Sequence, residues 1–329
     1  MIVSIVVIGK NEGWRLNKCF DSILSLINHN LNFNFEVIYV DSGSKDDSIE
    51  VARKFPFIKI FQLYGNMNAA IARNVGAIES TGDIIVFIDG DMEILPSFIG
   101  EVIKNGELVH DYVTGHIDDL FYTLNEVFLS CKSRTYFGSL PTKEQNISEN
   151  GGFFIVKRSV WFMVNGMKNK YRKSQDIDFT IRLKGKGVTI VRVPFLAIKH
   201  HTIDYNDEQR MWDLFWKGDY FFAGLLFREH FFRFSFLLRT IRMNYTALTI
   251  AIIITSFFFN IFLTKIAIFF FLIILTLRTI KHTITSKKQI KKIPYIIERW
   301  FLQIFIDFSF WIGFLFFYPT EKRIKYTKK

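Results

Sequence analysis

Two aspartates separated by one glycine form the strongest candidate chemical site in the sequence. Asp89-Gly90-Asp91 directly follows the apolar run Ile84 to Ile88, which is typical of a buried strand. Carboxylates at the end of a strand can offer oxygen ligands to Mg²⁺ or Mn²⁺, and the glycine lets the backbone approach a ligand closely. A divalent cation here would neutralise a diphosphate leaving group. The alternative is a turn capped by the aspartate side chains.

Strands and helices alternate through the first hundred residues. Runs rich in β-branched residues predict strands over Ile2 to Ile8, Phe35 to Val40, Ile58 to Leu63 and Asp83 to Ile88. Apolar residues at helical spacing predict helices over Trp14 to Asn28, Asp46 to Phe55 and Asn68 to Ser80. This order predicts an α/β domain in which helices cover a parallel sheet.

Three polar clusters fall at the carboxyl ends of the predicted strands. They are Asn11-Glu12, Asp41 and Asp89-Gly90-Asp91. Ligands bind beyond these ends in doubly wound sheets, so we expect one site along this edge. The middle of the chain is less regular. It contains Gly151-Gly152, a helix beginning near Ser174, and the pair His200-His201 after a strand.

The composition differs before and after Trp212, which predicts that water surrounds the first region and lipid the second. The chain has 329 residues, 38 of them Phe, and its formal net charge is +11. The apolar excess lies after Trp212, and the densest basic stretches, Arg278 to Lys292 and Lys322 to Lys329, flank apolar runs. Basic residues beside apolar segments favour a membrane surface over a nucleic acid partner. Cys19 and Cys131 form no metal or disulfide motif.

Membrane attachment is predicted for the C-terminal third. Tyr245 to Leu277 and Trp300 to Tyr318 are long enough and apolar enough to be candidate spans. Glu208 to Ile241 is helical, aromatic and basic, which suits the interface plane of a membrane. Tyr245 to Leu277 is either one long tilted helix or a hairpin that turns near Asn260 to Lys265. Two or three simple spans conflict with a cytoplasmic location for both basic stretches, whereas a hairpin followed by a last segment that lies in the interface or re-enters satisfies it. The number of true spans stays open.

The ordered motifs resemble those of family 2 glycosyltransferases, which have the nucleotide-sugar-binding A-type (GT-A) fold. The resemblance covers about residues 1 to 201 and implies a doubly wound mixed sheet with helices on both faces. The matching segments are Val6 to Glu12, Val40 to Asp46, Ala72 to Gly76, Asp89 to Asp91, Asn150 to Gly152 and Gln175 to Asp178.

The resemblance also implies roles for individual residues. The donor sugar nucleotide would contact Ile8, Lys10, Glu12, Asp41, Arg73, Asn74, Asp89 and Gly90. A Mg²⁺ or Mn²⁺ ion would be bound by Asp91 and Asp89, with His200 or His201 as a further ligand. The acceptor side would contain Gly151, Gly152 and Gln175, and Asp178 and Arg182 would support the catalytic residue. Asp41 and Arg73 have simpler alternatives, a turn residue and a solvated helix residue.

Asp176 is the general base that the resemblance implies. An inverting transfer needs a carboxylate that takes the proton of the acceptor hydroxyl. The alternative is a charge partner of the helix N-terminus. The family commonly has an acidic residue just before this aspartate, and Gln175 stands there in this chain. The departure leaves the base in place and changes its neighbour.

The expected reaction is transfer of a sugar from a nucleotide-diphosphate sugar, UDP-linked in the first instance, to a lipid-linked or surface-glycan acceptor. A polyprenyl-phosphate acceptor is one alternative, and a nucleotidyltransferase or a non-catalytic membrane scaffold are others. The predicted regions are a catalytic domain over 1–207, interface helices over 208–243 and a membrane-attachment region of two to three helices over 244–329. The expected location is a bacterial inner membrane, with the catalytic domain in the cytoplasm.

Overall fold

The apolar runs near the N-terminus form the middle of one large sheet. The computed structural model of the chain describes residues 1–123, 125–203, 208–285 and 293–329. The chain divides into residues 1–204 with residues 320–329, here called the sheet unit, and residues 205–319, here called the helical unit. The last ten residues therefore differ from the sequence-based division, which placed them in the membrane-attachment region.

The sheet unit contains all the strands among the described residues. They are β1 (Ile2–Gly9), β2 (Asn34–Asp41), β3 (Ile58–Leu63), β4 (Ile84–Asp89), β5 (Met92–Ile94), β6 (Ile103–Lys104), β7 (Glu107–Leu108), β8 (Tyr112–Tyr122), β9 (Phe128–Ser133), β10 (Gln145–Asn146), β11 (Phe154–Lys157), β12 (Val191–Ile203) and β13 (Tyr326–Lys328). Its helices are α1 (Trp14–His29), α2 (Ser48–Arg53), α3 (Ala69–Glu79), α4 (Phe98–Val102), α5 (Arg158–Met163) and α6 (Gln175–Lys184).

The sheet is mixed, with the order β10-β12-β8-β11-β4-β1-β2-β3-β13. The strands β4, β1, β2 and β3 run parallel, and β11 pairs antiparallel with β4. Both faces are covered, because alternate residues of β1 enter two separate cores. Ile5 packs in the core that includes residues of α1 and α2, whereas Val6 packs in the core that includes residues of α3 and α6. The predicted mixed α/β sheet with helices is confirmed.

The register of the parallel strands brings the polar clusters to one edge. Gly9 on β1 lies opposite Asp41 on β2, and Ile8 lies opposite Asp89 on β4. Gly90 donates its backbone N–H to the carbonyl of Ile8 at 2.8 Å. The three strand ends therefore stop at the same level, as the sequence predicts for a ligand-binding edge.

The helical unit contains the remaining helices. They are α7 (Glu208–Trp216), α8 (Phe221–His230), α9 (Phe234–Met243), α10 (Tyr245–Phe259), α11 (Ile261–Thr285) and α12 (Ile293–Leu315). The structure resolves the open question about Tyr245 to Leu277, because the segment breaks at Asn260 and folds back. Ser256 lies 3.4 Å from Thr264 near the turn, and Arg278 bonds to Thr246 at the open end. By length and composition one helix, Ile261–Lys281, could cross a membrane, and a second candidate is the bent pair Phe236–Met243 and Tyr245–Phe259.

Candidate active site

Asp89 and Asp91 stand at the end of β4 with different partners. Arg73 on α3 is 2% exposed, and its Nη2 donates to Oδ1 of Asp89 at 2.6 Å. Oδ2 of Asp91 lies 3.2 Å from Nε2 of His200. Oδ1 of Asp91 is buried and has no hydrogen-bond partner. The pair therefore offers one carboxylate oriented by a guanidinium and one oxygen free to bind a ligand.

Burial, together with the crowding of carboxylates, raises the pKa of acidic groups at this edge. Burial raises the pKa of Asp89 to about 6, with Asp91 and Asp176 adding to the rise and Arg73 opposing it. Burial and the nearby Asp91 raise the pKa of Glu12 to about 7, although Arg15 pairs with Glu12 at 2.9 Å. A cation bound among these groups would relieve their mutual repulsion.

The residues around Asp91 fit a divalent cation. An unpartnered carboxylate oxygen and neighbouring acidic groups are the hard donors that Mg²⁺ and Mn²⁺ prefer. Within the described part of the sheet unit, no three His, Cys, Asp or Glu side chains bring ligand atoms within 4.8 Å of one another. Proteins commonly bind Mg²⁺ through one or two carboxylates and complete the shell with substrate phosphates. The arrangement is therefore suited to a cation that arrives with a diphosphate.

The two histidines have separate environments. His200 is 5% exposed, with Nδ1 at 2.8 Å from Asp119 and Nε2 turned to Asp91. Burial opposes its charge, but the hydrogen bonds to Asp119 and Asp91 raise the pKa of His200 to about 9. His201 instead contacts Tyr122 through Nδ1 and Glu93 through Nε2. Both ring nitrogens of His201 therefore bond to groups other than Asp89 and Asp91, and His200 is the histidine that faces Asp91.

The Gly151-Gly152 pair lies close to two acidic residues, Asp176 and Asp89. A Cβ added to Gly151 would stand 2.0 Å from Oδ2 of Asp176, and one added to Gly152 would stand 3.5 Å from Oδ2 of Asp89. Gly152 also has φ +78°, which favours glycine. Arg73 completes the arrangement, since its Nη2 lies 3.4 Å from the carbonyl of Gly152. Because neither glycine has a side chain, Asp176 and Asp89 can both lie close to this turn.

Asp176 lies in the first turn of α6, which follows Ser174 in the left-handed region with φ +63°. Its Oδ1 accepts the N–H of Ile177 at 2.9 Å, so Oδ2 is the oxygen that faces Gly151. Burial raises the pKa of Asp176, with Arg73 opposing the rise. A carboxylate with a raised pKa accepts a proton more readily at neutral pH than an ordinary aspartate does.

Asp41 shapes the loop after β2. It is fully buried, and its Oδ2 accepts the N–H groups of Gly43 and Ser44 at 2.9 and 3.0 Å. Gln62 donates to the same oxygen at 3.1 Å. The turn role, which the sequence offered as the alternative, is therefore present in the structure, and contact with a nucleotide stays a prediction. Asn11 joins this loop to the end of β1, because its Oδ1 accepts the N–H of Lys45 at 2.8 Å.

Asn74 and Arg182 form hydrogen bonds with the loop that follows α5, and Asp178 pairs with Arg182. Asn74 donates to the carbonyl of Met167 at 2.6 Å and accepts its N–H at 2.9 Å. Arg182 pairs with Asp178 at 2.7 Å and donates to the carbonyl of Gly166 at 2.8 Å. Asn74 is thus bonded to this loop, and its contact with a donor stays a prediction. Asp178 and Arg182 hold each other and this loop, and their support of Asp176 stays a prediction.

The remaining predicted residues have simpler placements. Ile8 is 7% exposed and contributes its backbone carbonyl to Gly90. Lys10 is exposed beyond the end of β1. Gln175 precedes Asp176 on α6, and its Oε1 is buried without a hydrogen-bond partner. Gln175 therefore contributes a polar but uncharged neighbour where the family commonly has an acid.

Sequence reasoning missed the carboxylates behind the histidines. Asp119 on β8 contacts His200 and also Arg134, whose Nη2 donates at 2.6 Å. Glu93 on β5 is the partner of His201, and hydrogen bonding to that ring lowers the pKa of Glu93. No local motif marks these acids, because β8 and β5 pair with β12 only in the folded sheet.

An open cleft of about 310 Å³ lies beside the site in the sheet unit. Its walls include Glu12, Trp14, Tyr122 and His201. The edge of the Trp14 ring meets His201 with centroids 5.6 Å apart. The cleft therefore combines aromatic surfaces with an acidic group that neighbours the aspartate pair.

Residues 4–163 match the family model described as "Glycosyl transferase family 2". This region is a glycosyltransferase domain. The match includes the aspartate pair and the Gly151-Gly152 turn and ends before Asp176. The predicted enzyme class is confirmed at this level.

Curated relatives carry compatible names. The uncharacterized glycosyltransferase YkcC of Bacillus subtilis is 32% identical, with 59% of this chain and 61% of the relative covered. Glycosyltransferase AglE of Haloferax volcanii is 33% identical, with 57% and 63% covered. An undecaprenyl-phosphate 4-deoxy-4-formamido-L-arabinose transferase of Pseudomonas savastanoi is 30% identical, with 34% of each chain covered. The aligned part of this chain thus spans about three fifths of the first two relatives and a third of the last.

Proposed function

We propose that the chain transfers a sugar from a nucleotide-diphosphate sugar to an acceptor hydroxyl, with Mg²⁺ or Mn²⁺ and with inversion at the anomeric carbon. The observation that carries the proposal is the Gly151-Gly152 turn. A Cβ added to Gly151 would stand 2.0 Å from Oδ2 of Asp176, and one added to Gly152 would stand 3.5 Å from Oδ2 of Asp89. A base and a diphosphate-binding pair are therefore adjacent, as a single displacement requires.

The proposed reaction is a single displacement. Asp176 takes the proton of the acceptor hydroxyl as its oxygen forms a bond to the anomeric carbon. The bond from that carbon to the diphosphate oxygen breaks, and the nucleoside diphosphate leaves. A divalent cation at Asp91, with Asp89 and His200 beside it, would supply positive charge to the leaving diphosphate. Arg73 orients Asp89 through the bond at 2.6 Å. Inversion requires Asp176 to act on the face opposite to the leaving group.

A membrane-bound, lipid-linked acceptor is part of the proposal. The helical unit exposes many large apolar side chains, among them Phe258 at 79% and Phe259 at 80%. Such a surface is suited to lipid. One relative is named for transfer to undecaprenyl phosphate, which supports a polyprenyl-phosphate acceptor as a second candidate beside lipid-linked oligosaccharides.

The proposal is tested with purified protein and a panel of nucleotide sugars in the presence of Mn²⁺. Binding is measured by thermal shift, and release of nucleoside diphosphate is then measured with and without a lipid-linked oligosaccharide, which supplies the acceptor hydroxyl. Polyprenyl phosphate, whose ionised oxygen would attack with no proton to remove, is tested in parallel. We expect turnover that requires metal and is lost in Asp176→Asn and Asp91→Asn. Release of pyrophosphate would instead identify a nucleotidyltransferase. Nucleotide binding without metal and without turnover would identify a scaffold and contradict the proposal.

A further inference from the structure

The chain returns to the sheet unit after its apolar helices. β13 pairs antiparallel with β3, with Tyr326 opposite Leu63 and Lys328 opposite Phe61. Tyr326 also donates its hydroxyl to Glu79 at 2.6 Å. The sheet unit thus includes the chain both before and after the helical unit. A folded, hydrated sheet cannot lie on both sides of a bilayer, so residues 205–319 can cross a membrane only an even number of times.

The helices α10 and α11 form an antiparallel hairpin. Near the turn Ser256 contacts Thr264, and at the open end the guanidinium of Arg278 lies over the ring of Tyr245 at 5.0 Å. Asn260 forms the turn, since its Oδ1 accepts the N–H of Phe262 at 2.7 Å. A hairpin returns to the side from which it starts. It therefore contributes an even number of crossings, whatever its depth.

The helix α12 must then remain on the side of the sheet unit. Its 23 residues extend about 35 Å, which exceeds the roughly 30 Å of bilayer hydrocarbon, and the sequence predicts a span over Trp300 to Tyr318. A single crossing by α12 would place β13 on the opposite side from β3. Its C-terminal end is bound inside the helical unit, because Arg228 on α8 donates to the carbonyls of Phe314 and Phe317, both at 2.6 Å. The helix also carries charged residues along its length, Glu298, Arg299 and Asp307.

The distribution of charge on the hairpin indicates lipid as its partner. Side chains around the turn are 61% to 80% exposed and apolar: Phe257, Phe258, Phe259, Ile261 and Phe262. Between residues 245 and 277 the one charged residue is Lys265, whose long side chain can extend toward a polar interface. Basic side chains return at the open end, with Arg242, Arg278 and Lys281. Basic groups beside an apolar segment are suited to anionic headgroups.

Resting on the membrane association proposed above, we infer that the α10–α11 hairpin alone enters the bilayer. It inserts from the side of the sheet unit and returns to it, and α12 stays on that side. This arrangement keeps both basic stretches and the catalytic edge in one compartment. It also reconciles the charge pattern with the number of apolar segments, which simple spans do not.

Cysteine accessibility tests the inference. Single cysteines are introduced into a Cys131→Ser background, where the remaining Cys19 is buried. Lys54→Cys marks the sheet unit, Lys281→Cys and Tyr318→Cys flank α12, and Lys329→Cys marks the tail. Membrane vesicles of both orientations from expressing cells are treated with a charged, impermeant maleimide. We expect all four variants to label in the same orientation, and in the other orientation only after detergent.

A hairpin variant and a wash separate the possible failures. Phe258→Cys should label about tenfold more slowly in intact vesicles than in detergent, because hydrocarbon excludes the charged reagent. Labelling of Tyr318→Cys from the side opposite to Lys54→Cys would overturn the inference, as would rapid labelling of Phe258→Cys in intact vesicles. Release of the protein by alkaline carbonate would show that no segment is inserted in the bilayer and would also overturn the inference, whereas recovery in the soluble fraction without carbonate would contradict the membrane association itself. Sugar transfer is measured separately in detergent, so the proposed reaction is tested independently.

Discussion

Substitution of Gly151 by alanine should displace the catalytic base without removing it. The new Cβ would stand 2.0 Å from Oδ2 of Asp176, whereas ordinary contact begins at 3.4 Å. The carboxylate must therefore move by about 1.4 Å, the difference between these two distances. A displacement of about 1 Å at a reacting group can reduce a rate about 10²-fold. We therefore expect kcat to fall about 100-fold, equivalent to about 2.7 kcal/mol of activation free energy.

The assay measures release of nucleoside diphosphate and sugar transfer under saturating donor and Mn²⁺. KM for the donor should change by less than about threefold, because Gly151 acts on the base and not on donor binding. Gly100→Ala is the matched control, since a Cβ on this helical glycine meets its nearest atom at 3.4 Å. Combining Gly151→Ala with Asp176→Asn should cost no more than Asp176→Asn alone, because both act through one carboxylate. A Gly151→Ala enzyme with kcat like that of Gly100→Ala would refute the assignment of Asp176.

Four further outcomes are expected. Asp119→Asn should weaken the apparent affinity for Mn²⁺ by about 10- to 100-fold, because it removes the carboxylate that orients His200. An unchanged metal titration would contradict this orienting role of Asp119. His201→Gln should leave that titration unchanged and lower the thermal midpoint instead, since both ring nitrogens are bonded to Tyr122 and Glu93. Burial raises the pKa of Asp176, so kcat should fall with acid at a pH clearly above 3.8, and a limb near the ordinary value would contradict a buried base. Although burial opposes the shift, hydrogen bonds from Ser4, Thr81 and Lys59 lower the pKa of Glu36 to about 2. The resulting stabilisation is present above pH 4.5 and is lost as the pH falls toward 2. Glu36→Gln should therefore flatten the acid-unfolding curve measured by circular dichroism.

The central strands and the position of the aspartate pair could be predicted from sequence. Each of β1 to β4 is a short apolar run whose burial is encoded locally, and Asp89-Gly90-Asp91 follows the apolar part of β4 directly. Placement at one edge then follows from the parallel order alone, as the register of Ile8 with Asp89 shows. The hairpin at Asn260 was one of two arrangements that the apolar pattern allowed, because hydropathy does not distinguish a continuous helix from a broken one.

Only the tertiary structure decided which groups meet at that edge. Asp91 and His200 are 109 residues apart, and the pairing of β12 with β5 and β8 determines that His200 and not its neighbour faces the aspartate. Successive residues of a strand point to opposite faces, so adjacent histidines necessarily separate once the register is set. The contact of Gly151 with Asp176 and the return of β13 to β3 are likewise long-range. Sequence encodes the apolar period of each element, but the order of strands in the sheet arises from packing the whole chain.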